Sequence, residues 1–206
     1  NRTLAELEQT LSAMEDADYQ RVCREMLSRH RDAFVTIPAA KSVHHSFVHG
    51  LLMHTAYMMK TALFLAKLYG DLLDRELLLA GAFLHDFAKI REFSLSPTGL
   101  VTDYSVAGQL LGHLVMGAEE TAQVCRELNI PEEKSLLLQH MILSHHGAPE
   151  FGAAVAPVCA ESELLSYIDM MDSRMEIYRE VLEKTEPGAF SDRIFALDNK
   201  RIYRHS

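Results

Sequence analysis

The pair His85-Asp86, set in the apolar run from Leu77 to Ala88, stands in a series of imidazoles and carboxylates whose spacing constrains this chain more than any other feature. His54 lies 31 residues before His85, His113 lies 27 after Asp86, His145 lies 32 after His113, and Asp169 lies 24 beyond His145. Each interval is the length of one helix and its connection, the interval at which the helices of a bundle project ligands into a shared centre. A lone histidine on an apolar face is ordinarily a satisfied core residue. A spaced series with His146 beside His145 reads instead as a shell for metal ions, and the fold class that follows is all-α.

Composition agrees with that architecture. At 206 residues, 48% hydrophobic and 24% charged, the chain suits one globular domain with a substantial core. The expected division is N-terminal helices over residues 1–37, a metal-site core over 38–184 and a C-terminal tail over 185–206. Cys23, Cys125 and Cys159 are odd in number and lack C-x-x-C spacing, so neither a disulfide framework nor a cysteine zinc site is indicated. No apolar run approaches the roughly 20 residues that span a bilayer, and the N-terminus does not read as a signal peptide. A cytoplasmic protein with no membrane partner is expected. A start at Asn1 rather than Met fits a piece of a longer chain.

The net charge of −9 argues against broad electrostatic attraction to nucleic acid. Local chemistry can override it. Four neutral imidazoles and two carboxylates around two divalent cations leave a formal +2, a compact positive site that suits a phosphate.

The coarse reading is helical almost throughout. Thr3 with Glu6 is a capping-box pattern, followed by Leu4, Leu7, Leu11 and Met14 at helical spacing. A second amphipathic stretch runs from about Asp18 to His30, and Phe34 to Ala40, with Pro38, reads as a connection. A long apolar segment from about His45 closes at Gly70. Asp74 is placed to cap the next helix, expected to run to about Lys89. Ser96-Pro97-Thr98-Gly99 marks a turn in a small hairpin near residues 92–105. Helix is expected from about Val106 to Leu128, with Gly108, Gly112 and Gly117 admitting close neighbours, then from Pro131 as first helical residue to about His145. Gly147 to Ala160 reads as a loop, and a last helix from about Glu161 to Lys184 carries Asp169 and Asp172.

Imidazole suits first-row transition metals and carboxylate suits harder ions, so the mixed shell fits Mn, Fe, Co, Ni or Zn better than Ca. Two ions are expected. Asp86 would bridge them, with His54, His85 and Asp169 on one, and His113 with His145 or His146 on the other. Such a pair lowers the pKa of a bridging water and clamps phosphoryl oxygens during in-line displacement. Lys89, three residues after Asp86, is placed to neutralise developing charge. Asp86 and Lys89 are therefore the expected catalytic residues. Adjacent helical residues point about 100° apart, so the sequence does not choose between His145 and His146. His145 is taken as the ligand, and His146 as a second ligand or a substrate contact.

His85-Asp86-Phe87-Ala88-Lys89, with the spaced H, H and D that follow, resembles the HD-x-G-K pattern of the HD-domain metal-dependent phosphohydrolases, with Ala88 replacing the glycine. A closer similarity runs from Pro38 to the C-terminus. It rests on Pro38-Ala39-Ala40, His44-His45, Gly50-Leu51-Leu52 with His54-Thr55, Gly112-His113, Ser144-His145-His146-Gly147, Asp169-Met170-Met171-Asp172 and Arg193-Ile194-Phe195-Ala196-Leu197-Asp198. These segments look like the HD domain of 3′-to-5′ exoribonucleases that carry an N-terminal OB fold. The resemblance implies an HD-type helical bundle that cleaves a phosphate ester by metal-activated hydroxide, with a nucleotide or a single-stranded RNA end as substrate. The OB-type domain that grips single-stranded RNA is not among these 206 residues, and Met53 stands where that family commonly has a glutamate.

Two related activities fit less well. Guanosine tetraphosphate hydrolases resemble HD proteins with a Glu-Asp pair soon after the HD, where this chain reads Phe87-Ala88-Lys89-Ile90-Arg91-Glu92. Phosphodiesterases of the HD-GYP type need a GYP segment after the paired histidines, which Gly147-Ala148-Pro149-Glu150-Phe151 does not supply. A nucleotide phosphatase and a non-catalytic module that senses nucleotide or metal are the alternatives. Among the remaining residues, His44 and His45 read as pocket rim or helix start, and His140 as core or a ligand-orienting residue. Asp172 either anchors a ligand histidine or pairs with Arg174. Arg193, Lys200, Arg201 and Arg204 form a basic stretch that either contacts phosphate or is a solvated tail.

Overall fold

Asn1, Asp16 and Asp74 each open a helix by the same device. The side-chain oxygen of Asn1 accepts from the amides of Thr3 and Leu4, that of Asp16 from Asp18 and Tyr19, and that of Asp74 from Glu76 and Leu77, which satisfies amides that have no partner inside the helix. The helices are α1 (Arg2–Ser12), α2 (Ala17–Thr36), α3 (Gly50–Tyr69) and α4 (Arg75–Leu84). The cap of α1 is thus Asn1 and not Thr3, while Glu6 pairs with Arg2 and Lys60. The computed structural model describes residues 1–37, 50–98 and 101–206, the side chain of Thr102 excepted.

The chain continues through α5 (Lys89–Glu92), the hairpin β1 (Phe93–Leu95) and β2 (Val101–Tyr104), α6 (Val106–Leu110), α7 (Gly112–Glu127), α8 (Glu132–Ser144), α9 (Ala160–Glu183), β3 (Ala189–Ile194) and β4 (Lys200–Arg204). The helical bundle and the hairpin near residues 92–105 are as expected, with Phe93 opposite Tyr104 and Ser94 opposite Asp103 in an antiparallel pair. Packing divides the chain into two compact units, Asn1–Ile168 and Asp169–Ser206, and the division falls within α9. No helix among the described residues is long and apolar enough to cross a membrane.

The core of the first unit is built on α4, whose side chains from Leu77 to Leu84 are all buried. Around it pack α2, α3 and α8. Leu4, Leu7, Leu11 and Met14 bury the inner face of the first segment. Phe34, Phe83 and Phe87 form an aromatic cluster with ring centroids 5.1 to 5.7 Å apart. That cluster explains one departure from the sequence reading. Phe34 to Thr36 are helical rather than a connection, because Phe34 is fully buried against Phe87. The helix bends on the way, at His30 (φ −132°, ψ 22°). Met58 and Met59 are core residues, and the three cysteines are free thiols.

Three further boundaries differ from expectation, each for a local reason. Helix α4 ends at Leu84, and His85 to Ala88 form a turn before α5. The segment Val106–Leu128 is two helices, since Gly112 takes φ +77°, a conformation that glycine adopts without a Cβ penalty. Pro131 precedes α8 as its capping residue. Of the three glycines expected to admit a neighbour, Gly108 does so most closely: a Cβ there would lie 2.3 Å from the Glu92 carbonyl oxygen. Gly117 faces Ile142 and Ala88, and Gly112 has no neighbour that a Cβ would meet.

In the second unit the stretch read as a solvated tail is a hairpin. Asp198 and Asn199, at φ +58° and +59°, reverse the chain, and Leu197 and Ile202 are buried beneath it. Asp and Asn tolerate the left-handed region that such turns require.

Candidate metal centre

Two of the expected ligands occupy equivalent places in the fold. His85 follows the last residue of α4 and His145 follows the last residue of α8. The final carbonyls of a helix have no amide partner within it, and each imidazole supplies one. His85 Nδ1 lies 2.7 Å from the Ala82 carbonyl oxygen, and His145 Nδ1 lies 2.7 Å from that of Ile142. An imidazole that donates from Nδ1 keeps its lone pair on Nε2. Both rings are thereby held in the tautomer and orientation that a metal ligand needs.

His113, the second residue of α7, reaches the same state through a carboxylate. Its Nδ1 lies 2.6 Å from Glu92 Oε2, and the same oxygen accepts the His113 backbone amide at 2.6 Å. Glu92 therefore caps the first turn of α7 and fixes the ring with one oxygen. Spacing did not mark this residue. It stands 21 positions from its histidine, and an acidic side chain between Arg91 and Phe93 looks like a surface glutamate. Burial alone distinguishes it, since only 7% of Glu92 is exposed.

These elements converge on Asp86, which is buried in the turn after α4. Its Oδ2 lies 3.2 Å from His85 Nε2, 3.5 Å from His54 Nε2 and 3.2 Å from Lys89 Nζ. Its Oδ1 lies 3.2 Å from both His113 Nε2 and His145 Nε2. The nitrogens of His54 and His85 approach to 3.2 Å. Ligand atoms of Asp86, His113, His145 and His146 all lie within 4.8 Å of one another, and so do those of His54, His85 and Asp86.

The donor set fits divalent cations. Asp86 Oδ1 and His113 Nε2 are buried and, among the described residues, neither makes a hydrogen bond. A desolvated carboxylate oxygen in that state costs about 1–3 kcal/mol or more. A cation between such oxygens and the Nε2 lone pairs compensates both. Electrostatics point the same way. Burial opposes ionisation of Asp86, but His85, Lys89, His113 and His145 outweigh it and hold its carboxyl well below the usual carboxylate range. Burial likewise disfavours a charged His113, yet Asp86 and Glu92 raise its pKa. Glu92, also opposed by burial, is lowered in turn by His113. The two carboxylates draw positive charge into a buried place.

The structure thus brings together His54, His85, Asp86, His113, His145, His146 and Lys89. Both members of the His145-His146 pair belong to the cluster, with His145 buried and His146 partly exposed. Lys89 is no solvated surface lysine, as its side chain is only 16% exposed. Asp169 is the first residue of the second unit, partly buried in α9, with Ser173 Oγ 3.5 Å from its Oδ1. Arg174 pairs with Asp198 at 3.1 Å. His140 accepts the Val158 amide and meets Ser162 Oγ, each at 3.1 Å, so it ties the loop after His146 to α8. Residues 38–49, with His44, His45 and the Pro38-Ala39-Ala40 segment, lie outside the described residues.

The chain is 40% identical over 204 residues to the 3′-5′ exoribonuclease YhaM of Bacillus licheniformis, an alignment covering 99% of this chain and 64% of that protein. The YhaM proteins of Shouchella clausii and Bacillus subtilis are 41% and 40% identical, over 100% and 99% of this chain and 63% and 64% of their own. The chain therefore spans a little under two thirds of these relatives. No solved structure matches it. The HD domain family matches residues 51–174, a segment that runs from the start of α3 into α9 and takes in both histidine sets around Asp86. The chain belongs to the HD domain family.

Proposed function

We propose that this chain is the hydrolytic part of a metal-dependent phosphodiesterase that removes nucleotides from the 3′ end of single-stranded RNA. One observation carries the reading: the two oxygens of Asp86 face different histidine sets, His54 with His85 on one side and His113 with His145 on the other. That division would let the one carboxylate serve two divalent cations. His54 and His85 would hold one ion, and His113, His145 and His146 the other. Asp169 is included as the last ligand on its likeness to the family pattern alone. When bound, a pair of divalent cations ionises a water near neutral pH and offsets the charge on the phosphoryl oxygens.

The protein's own groups have separate tasks. The Ala82 and Ile142 carbonyls and the Glu92 carboxylate hold three imidazoles in place before any ligand arrives, so little reorganisation accompanies binding. Lys89 sits beside Asp86 Oδ2 and offsets negative charge on the phosphoryl group. His146, partly exposed at the mouth of the set, either completes the ligands or hydrogen-bonds a phosphoryl oxygen. The relatives are named as 3′-5′ exoribonucleases, which favours an RNA end over a free nucleotide.

The test is metal content together with turnover. Protein purified without chelator should carry close to two equivalents of transition metal, and should hydrolyse bis-p-nitrophenyl phosphate in added Mn²⁺. Asp86→Asn should lose both metal and at least about 100-fold in rate, the scale on which a positioned charge stabilises a transition state. Full hydrolysis by Asp86→Asn would refute the mechanism. Release of nucleoside monophosphates from the 3′ end of an oligoribonucleotide, against phosphate release from nucleotides, separates the exonuclease from a phosphatase.

A further inference from the structure

The hairpin of the second unit carries a surface that the hydrolytic site does not use. Strand pairing places Phe190 opposite Tyr203 and Arg193 opposite Arg201. Because side chains alternate along a strand, Tyr203 and Arg201 share one face of β4, while Ile202 is buried on the other. Phe190, Tyr203, Arg193 and Arg201 are all exposed. The rings of Phe190 and Tyr203 lie 5.1 Å apart, and the Arg201 guanidinium lies 5.4 Å from the centre of the Phe190 ring. Phe195, in the turn that joins the strands, is 93% exposed.

Two features of this face are costly for an isolated hairpin. Like charges directly opposite each other on paired strands are destabilising, and Arg193 and Arg201 are such a pair. The Arg193 guanidinium donates to the Asn199 carbonyl and that of Arg201 to the Ser191 carbonyl, so neutral oxygens hold them. Asp198, a nearby carboxylate, is engaged by Arg174 and Lys200. Exposed aromatic rings beside the arginines add apolar surface that none of the described residues covers. The charge is also local. Residues 189–206 hold four Lys or Arg and two Asp, a balance of +2, so the rest of the chain carries −11 of the total −9.

Aromatic faces on which bases stack, set beside cations that track a phosphate backbone, are the combination by which proteins hold single strands without regard to sequence. We infer that the Phe190, Tyr203, Arg193 and Arg201 face of the C-terminal hairpin binds single-stranded RNA, with bases stacked on the two rings and backbone phosphates on the two arginines. The inference deepens the proposed function, on which it rests for the choice of RNA, but it concerns binding outside the metal centre. It requires no metal.

Binding is therefore measured where hydrolysis is off. Fluorescence anisotropy of a labelled twelve-nucleotide oligoribonucleotide in EDTA gives Kd for the 206-residue chain, and bis-p-nitrophenyl phosphate in Mn²⁺ gives turnover independently. Phe190→Ala with Tyr203→Ala should weaken RNA binding at least about fivefold, the lower end of what stacking one base contributes, with hydrolysis of the small diester unchanged. Arg193→Ala with Arg201→Ala should flatten the dependence of log K on log salt by about 1.4, for two phosphates released from a single strand. Phe64→Ala, an exposed ring on α3, should change neither. An unaltered Kd in both double variants would overturn the inference, and so would a wild-type chain that hydrolyses the diester yet binds no RNA. Concentration-dependent dimers that the aromatic double variant abolishes, with RNA binding intact, would assign the face to self-association instead. If the wild type binds RNA through this face but never hydrolyses the diester, the proposed function fails and the inference stands.

Discussion

Replacing Glu92 by alanine tests whether one buried carboxylate both caps a helix and sets the metal centre. The structure gives Glu92 Oε2 two bonds from the same residue, the His113 backbone amide and the His113 ring, each at 2.6 Å. Loss of a helix cap costs about 1 kcal/mol. Loss of a hydrogen bond to a charged group adds about 1.5–3 kcal/mol. Glu92→Ala should therefore lower the unfolding free energy of chelator-treated protein by about 2–4 kcal/mol, measured by urea titration, a large share of the roughly 5–15 kcal/mol typical of a domain. Releasing the His113 ring should also weaken Mn²⁺ binding about 10–100-fold by titration calorimetry, the usual effect of removing a partner that orients a ligand. Glu92→Gln keeps the shape and one acceptor oxygen, so it should fall between alanine and wild type on both scales. A Glu92→Ala protein with wild-type stability and wild-type metal affinity would refute the reasoning. Lost stability with intact affinity would restrict Glu92 to the cap.

Gly108→Ala should act on the same element through the backbone. A Cβ placed 2.3 Å from the Glu92 carbonyl oxygen forces α6 and the end of α5 apart, with a cost of about 1–3 kcal/mol in urea unfolding and a weaker Mn²⁺ isotherm. Lys134→Met tests a site remote from the metal centre, where the ammonium lies 2.8 Å from both Asp16 and Asp18. Burial raises the Asp16 carboxyl, but Lys134 and two backbone amides outweigh this and hold it below its ordinary value. A carboxyl depressed on folding contributes fully above the unfolded value of about 3.9 and loses that contribution as pH falls through the folded value. The variant should be less stable than wild type by up to about 1 kcal/mol at pH 6–8. The gap should close as pH falls below about 4, and a constant gap across that range would contradict the assignment.

The parts of the site that the sequence exposed are those written as local pattern. His85 and His145 end apolar helical runs, and a polar pair in such a place is conspicuous. Intervals of one helix length tie them to His54 and His113. Lys89 followed from one helical turn. Glu92 left no such trace, because its partner is 21 residues away and the close approach of α6 that buries it depends on a missing Cβ at Gly108. The pattern of Thr3 with Glu6 points to Thr3 as the first cap, whereas Asn1 caps α1; both residue types cap helices, and only backbone geometry separates them. The C-terminal hairpin leaves as little trace: its strands are short and rich in charge, and the Asp198-Asn199 turn that joins them lacks the glycine or proline that marks a turn most plainly.

By itself, then, the sequence determined the helical class, the approximate extent of the long helices and the identity of the residues around Asp86, since each is set by periodicity or by residue type. Tertiary structure decided which oxygen of Asp86 faces which histidines, that His145 and His146 both join the cluster, that Phe34 remains helical, and that Glu92 is buried against His113. Those outcomes depend on packing between segments far apart in the chain, where a missing Cβ at Gly108 or a ring at Phe87 outweighs any local preference.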